Sequence, residues 1–148
     1  MPSYPFAPPA VPTLVLDTNA VLDWLWFADP AIQTLATAVT AGACRWVQTD
    51  TMRDELRHVL AHRLPPRAGA DPAVVEAACA RWARRVDPPP PARLACRDRD
   101  DQVFVDLALG MQARWLVTRD RALLALRTRA RALGTEIVTP AAWAASPP

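Results

Sequence analysis

The chain alternates between short apolar runs and longer segments in which apolar residues recur with a helical period. Four of the runs contain β-branched residues and predict short buried strands at residues 13–16, 45–48, 115–118 and 136–139. Because helix-period segments separate them, the strands are expected to be parallel and covered on both faces. The pattern therefore predicts an α/β fold, a three-layer α/β/α sandwich around a mostly parallel sheet.

The helical period predicts helices at residues 20–27, 30–41, 51–63, 72–85, 100–112 and 120–126, with Pro140 opening a last short one. Two proline-dense stretches, "LPPRAGADP" and "VDPPPPARL", bracket the helix that starts at Pro72. Prolines at this density force extended chain. We interpret both stretches as loops around a helical insertion, not as domain boundaries.

Length and composition fit a single domain. A chain of 148 residues with 51% apolar residues is large enough to bury a real core. We expect one domain over residues 13–141, with Pro-rich ends at 1–12 and 142–148 that are predicted to be flexible.

The cysteines indicate a reducing compartment. Cys44, Cys79 and Cys96 stand alone, without a C-x-x-C pair, which argues against a disulfide framework and a zinc site. The N-terminus does not resemble a signal peptide, and no apolar run is long enough for a membrane helix. These features predict a cytoplasmic protein without a membrane partner.

All 17 basic residues are arginine, and the chain has four glycines. Without lysine a P-loop cannot form, and the glycines do not make the G-x-G-x-x-G pattern of dinucleotide-binding folds. The arginine, proline and alanine content is typical of GC-rich coding bias, so the arginines alone are weak evidence for nucleic-acid binding.

Acidic residues follow three of the predicted strands. Asp17 follows the first strand, residues 50–55 follow the second, and Thr118, Arg119 and Asp120 end the third. In open parallel sheets, ligand-binding and active sites lie at the carboxyl ends of the strands. These acidic residues are therefore expected at one edge of the sheet.

Helical phase selects two further carboxylates. Glu55 falls on the predicted core stripe of its helix, three residues after Met52 and four before Val59. Asp101 extends the stripe of the next acidic helix back from Phe104 by three residues. Asp100 is nearly as well placed, so the choice between these two stays open.

Each acidic residue also has a purely structural interpretation. Asp17 and Asp120 precede helices and suit capping, Asp98 suits the same role, and Glu55 suits the first turn of a helix. All of these interpretations would have to hold together at matching strand ends. A shared site accounts for them more simply.

If Asp17, Glu55, Asp101 and Asp120 converge, their charges repel each other unless a cation neutralises them. Hard oxygen ligands select Mg²⁺ or Mn²⁺. Such clusters support metal-assisted phosphodiester hydrolysis, in which the cation activates water and screens charge on the phosphate.

Four segments, in order along the chain, carry a family resemblance: "LVLDTNAV", "TMRDELRHVL", "RDRDDQVFVDLAL" and "WLVTRDRALL". They resemble the four acidic motifs of the PIN domain, and are most similar to bacterial toxins of toxin–antitoxin systems of the VapC ribonuclease type. The resemblance implies a Rossmann-like sandwich that cleaves single-stranded RNA with Mg²⁺ or Mn²⁺. It also implies a homodimer and inhibition by a small antitoxin protein.

Position by position, the resemblance makes Asp17, Glu55, Asp101 and Asp120 the catalytic residues and metal ligands. Thr18, Asn19 and Thr118, with Asp100 as an alternative ligand, are supporting polar groups. Two other functions remain open: a catalytically silent module that keeps the fold and binds an antitoxin or RNA, and a DNA-directed nuclease. The intact acidic quartet disfavours the first, and the short chain disfavours the second.

Overall fold

A computed structural model describes residues 11–65 and 67–146 of the chain. Five strands form one parallel sheet in the order β3-β2-β1-β4-β5. The strands are β1 (Thr13–Leu16), β2 (Arg45–Gln48), β3 (Ala83–Arg85), β4 (Trp115–Val117) and β5 (Glu136–Val138). The predicted α/β sandwich is confirmed.

Seven helices lie between the strands and an eighth follows β5 in the described residues: α1 (Thr18–Leu25), α2 (Gln33–Thr40), α3 (Asp50–His62), α4 (Pro72–Trp82), α5 (Gln102–Gly110), α6 (Arg121–Leu124), α7 (Arg127–Ala132) and α8 (Pro140–Ala145). Two 3₁₀ turns, Pro30–Ile32 and Arg99–Asp101, lead into α2 and α5. Within the described ranges, none of the helices has both the length and the apolar content needed to cross a membrane.

The alternation of side chains along each strand divides the core into two layers. Leu14 and Leu16 of β1 point into a cluster with α1, α2, α4 and α8, whereas Val15 points into a cluster with α5, α6 and α7. The side chains of the central strands β1 and β4 are thus covered on both faces of the sheet, as a parallel sheet requires.

The structure corrects two of the predicted helices. The helix predicted at 72–85 ends at Trp82, and the next three residues form the edge strand β3, which pairs with β2. The helix predicted at 120–126 covers only α6, and α7 follows it. Both missed elements are Arg/Ala-rich and lack the apolar run on which the predictions depended.

The predicted domain boundary at residue 141 falls inside α8. Trp143 of this helix packs edge-on against Trp115 with ring centroids 5.6 Å apart and is 2% exposed, so α8 packs against the core. Residues 1–10 and 147–148 of the ends predicted to be flexible lie outside the described residues.

Candidate active site

Asp17 lies at the carboxyl end of the central strand β1 and starts α1. Its carboxylate accepts a hydrogen bond of 2.8 Å from the backbone N–H of Ala20, so it is the N-cap of this helix. Its other oxygen accepts a hydrogen bond from the Thr118 hydroxyl at the end of β4. The side chain is therefore held by the first turn of α1 and by the end of β4, and it is only 4% exposed.

Burial raises the pKa of Asp17 to about 6, although the hydrogen bonds from Thr118 and Ala20 oppose this shift. The negative charges of Asp120 and Asp23 raise the pKa further. To be fully ionised near neutral pH, the Asp17 carboxyl group therefore needs a positive charge nearby.

Asp120 follows Thr118 by two residues, and its backbone N–H donates a 2.9 Å hydrogen bond to the Thr118 hydroxyl oxygen. Asp120 occupies the N-cap position of α6, but its side chain makes no capping hydrogen bond. Its Oδ2 atom is buried and accepts no hydrogen bond from an N–H or hydroxyl group of the described residues. Capping alone therefore does not explain this aspartate.

Asp101 ends the 3₁₀ turn before α5 and is half-buried beside Asp120. Burial raises its pKa to about 7, with further contributions from a hydrogen bond to Asp120 and from the charges of Asp120, Asp98 and Asp17. Three carboxylates therefore act on one another at this edge of the sheet.

The neighbours of Asp101 have different roles. Asp98 accepts a 3.0 Å hydrogen bond from the backbone N–H of Asp100 and caps the turn, while Asp100 is exposed. Asp106 accepts 2.9 Å hydrogen bonds from the backbone of Ala92 and from Gln102, which ties the proline-rich loop to α5. Of these acids, Asp101 is the one that contacts Asp120.

Glu55 differs from the sequence prediction. It lies on α3 and is exposed, because the buried stripe of this helix is Met52, Leu56 and Leu60, and Glu55 lies one position to the side of Leu56. The expectation of a carboxylate on a buried face is wrong. Glu55 instead faces the opening that Asp17, Asp101 and Asp120 also line.

That opening is a cleft of about 690 Å³ at the carboxyl edge of the sheet. Its lining residues are Asp17, Thr18, Asn19, Thr51, Met52, Glu55, Val59, Arg63, Asp98, Arg99, Asp100, Asp101, Val103, Phe104 and Asp120. All four predicted acids and three of the supporting residues thus line one cleft, and Thr118 lies beneath it, fully buried, in contact with Asp17.

The donor chemistry of this cleft fits a hard divalent cation. Its donor atoms are carboxylate, hydroxyl and amide oxygens, and neither His nor Cys is among the described residues that line it. The buried Oδ2 of Asp120 without a hydrogen-bond donor and the raised pKa values of Asp17 and Asp101 are the features that such a cation would compensate. Among the described residues, no three His, Cys, Asp or Glu side chains are already grouped tightly enough to hold one ion.

The sequence model of the PIN domain family matches residues 13–122, which include Asp17, Glu55, Asp101 and Asp120. The chain belongs to the PIN domain family. PIN domains are generally nucleases that depend on divalent metals. Neither a curated protein nor a solved structure matches the chain.

One supporting feature of this PIN domain was not found by sequence reasoning. Arg119, between Thr118 and Asp120, points away from the cleft and forms ion pairs of 2.5 Å with Asp23 at the end of α1 and 2.7 Å with Asp29. The loop that carries Asp120 is thereby fastened to the end of α1. The T-R-D triplet was the available signal, but it gave no indication of the distant partners.

Proposed function

We propose that this protein is a metal-dependent endoribonuclease that cleaves single-stranded RNA with Mg²⁺ or Mn²⁺. The observation that carries the proposal is the group of Asp17, Asp101 and Asp120, whose buried or half-buried carboxyl groups repel each other at an open cleft. If such a group were purely structural, the repulsion between its carboxylates would destabilise the fold and no other interaction would compensate for it.

The residues that would hold the cation are Asp17, Asp101 and Asp120, with Glu55 from the α3 wall. When bound there, a divalent ion supplies activation of a water molecule and neutralisation of the charge that builds on the scissile phosphate. The Thr118 hydroxyl donates to Asp17 and fixes which of its oxygens faces the cleft. Thr18 and Asn19 line the same cleft and are placed to orient a phosphate oxygen or water.

The finer assignment is to the toxin component of a toxin–antitoxin system, acting in the cytoplasm as a homodimer that a small antitoxin inhibits. Its support is the likeness of the four acidic motifs to VapC-type ribonucleases. Expression of the protein alone should arrest growth, expression with a small adjoining reading frame should restore it, and Asp17→Asn should not arrest growth. Unimpaired growth with the active protein contradicts the toxin assignment.

The test of the enzymatic proposal is a cleavage assay with single-stranded RNA. We expect cleavage with Mn²⁺ or Mg²⁺ and none with EDTA, and we expect Asp17→Asn to lower the rate by at least about 100-fold, since it removes a charged ligand from the centre of the site. Asp87→Asn is the matched control, because Asp87 is exposed and lies outside the cleft. This control should cleave at the wild-type rate.

Three outcomes contradict the proposal. RNA binding without metal-dependent cleavage identifies a silent interaction module, and preferential cleavage of single-stranded DNA identifies a DNA-directed nuclease. Cleavage that Asp17→Asn leaves intact assigns the activity to a contaminant.

A further inference from the structure

The wall of the cleft formed by α3 has a regular sequence. Thr51, Glu55, Val59 and Arg63 are spaced by four residues, and all four line the cleft. Residues at this spacing lie on one helical face. At 1.5 Å per residue, Arg63 lies about 12 Å along the helix from Glu55, so the wall passes from the acidic end of the cleft to an apolar and then a basic position.

The opposite wall of the cleft also carries one valine and one arginine. Arg99 on the 3₁₀ turn and Val103 on α5 are also four residues apart and line the same cleft. Both valines are half-buried and both arginines are exposed. Each wall therefore offers an apolar surface next to a guanidinium group.

The two arginines remain available despite the many acids nearby. The cleft is lined by six carboxylates, yet neither Arg63 nor Arg99 forms an ion pair with the described residues. Arg99 lies between Asp98 and Asp100 in sequence, whereas no acid lies within seven residues of Arg63 on either side. Arg63 is therefore the stronger of the two candidates for binding an anion.

We propose that the α3 wall binds the sugar–phosphate chain of the RNA substrate, with Arg63 holding a phosphate beyond the scissile bond and Val59 contacting a nucleotide between them. The proposal rests on the proposed ribonuclease function and adds to it the path of the RNA, which runs along α3 from Glu55 towards Arg63. The acids at the centre repel every phosphate that a cation does not neutralise, so the flanking phosphates need positive charge of their own. A guanidinium group supplies it with two parallel N–H donors.

The distance agrees with this placement. A stacked strand advances about 3.4 Å per nucleotide, so a phosphate at Arg63 belongs to a nucleotide a few positions away from the one cleaved near Glu55. A single strand suits the wall better than a duplex, because a contact with Val59 or Val103 needs an unpaired nucleotide turned towards the protein.

The test measures RNA binding in the Asp17→Asn background, so that cleavage does not interfere. The probe is a short fluorescent oligouridylate, titrated over a series of salt concentrations in Mg²⁺ buffer. Arg63→Gln should weaken binding several-fold and lower the slope of log K against log salt by about 0.7, the value for one lost phosphate contact to a single strand. In the active protein it should raise KM and leave kcat unchanged.

Arg45→Gln is the matched control, because Arg45 is exposed at the amino end of β2, the opposite edge of the sheet, and forms no ion pair with the described residues. It removes the same charge and should leave affinity and salt slope unchanged. The proposal is overturned if Arg63→Gln keeps the parent affinity and slope, or if Arg45→Gln weakens binding equally.

The outcomes also separate the two proposals. Arg63-dependent binding by a protein that never cleaves RNA overturns the ribonuclease function and leaves the binding wall standing. Cleavage with no contribution from Arg63 overturns the binding wall alone.

Discussion

Asp17 serves two purposes at once. It caps α1 through the backbone N–H of Ala20 and also faces the cleft with its hydrogen bond from Thr118. On the sequence alone, capping and metal ligation are competing interpretations of this residue, but one carboxylate has enough lone pairs for both. The cap fixes the side chain in place, which is what a preorganised ligand requires.

The raised pKa of Asp101 predicts a pH-dependent effect of Asp101→Asn on the metal-free protein. A carboxyl group with a pKa near 7 when folded, against an ordinary value of 3.8, favours the folded state only while protonated. That contribution is present below about pH 4 and is lost as the pH rises towards 7. The variant should therefore be more stable than the wild type at pH 8, and about equally stable at pH 4.

Asp101 is only half-buried, so solvent screening reduces the gain to roughly 1–2 kcal/mol. Urea unfolding in EDTA at several pH values measures it, with Asp87→Asn as a control whose difference from the wild type should not change with pH. A gain that is the same at pH 4 and pH 8 would show that repulsion at Asp101 is not its source.

At this scale the sequence predicted part of the cleft lining. Asp17 and Asp120 follow apolar strands, so strand order placed them at the cleft, whereas helical phase with Phe104 left the choice between Asp100 and Asp101 open, and both line the cleft. The exposure of Glu55 was not predictable, because residues next to a stripe turn inwards or outwards according to the packing of the whole helix. Arg63 is spaced by eight residues from Glu55, but spacing alone did not mark it out among 17 arginines.

At the scale of elements, four strands were predictable and one was not. The four have apolar runs, while β3 has the sequence Ala-Arg-Arg and buries only Ala83. It forms a strand because the backbone of β2 offers hydrogen-bonding groups to pair with. This is an effect of tertiary structure, and the local sequence does not reveal it. The helix α7 likewise buries only Ala130 and depends on packing against β5.

The proline-rich loop after β3 is held by a close approach to the end of α5. A side chain at Gly110 would collide with the ring of Pro89. At an exposed helical position Gly→Ala stabilises a protein by up to about 1 kcal/mol, but Gly110→Ala should destabilise this one by roughly 1–3 kcal/mol because of overpacking.

Urea unfolding of Gly110→Ala measures this effect, and Pro89→Gly supplies the control. If the collision is the cause, Gly110→Ala should cost nothing further when Pro89→Gly is already present. An increase in stability from Gly110→Ala in the wild-type background contradicts the contact.

At the scale of the whole molecule, strand order places the site. The central strand β1 has β2 on one side and β4 on the other, so the chain changes direction across the sheet between β1 and β4. Crevices at such a reversal, outside the carboxyl ends of the strands, are the usual ligand sites of open α/β sheets. Asp17 follows β1 and Asp120 follows β4, while α3 and α5 bring Glu55 and Asp101 to the two walls.

This convergence was predictable without knowledge of the strand order, because the carboxyl ends of parallel strands lie at the same edge of the sheet in any order. The sequence did not predict that the carboxylates would be divided between a buried centre and an exposed wall. That division depends on which face of α3 packs against the core, and this face is the one with Met52, Leu56 and Leu60.

The central claim is that Asp17, Asp101 and Asp120 form a divalent-metal site, and thermal unfolding with and without Mn²⁺ tests it most directly. Mn²⁺ should raise the Tm of the wild type and of Asp87→Asn, because an ion that binds only the folded state stabilises it. It should leave the Tm of Asp120→Asn unchanged, although that variant should melt no lower than the wild type in EDTA. A wild-type Tm that does not respond to millimolar Mn²⁺, or an equal rise in Asp120→Asn, would contradict the account.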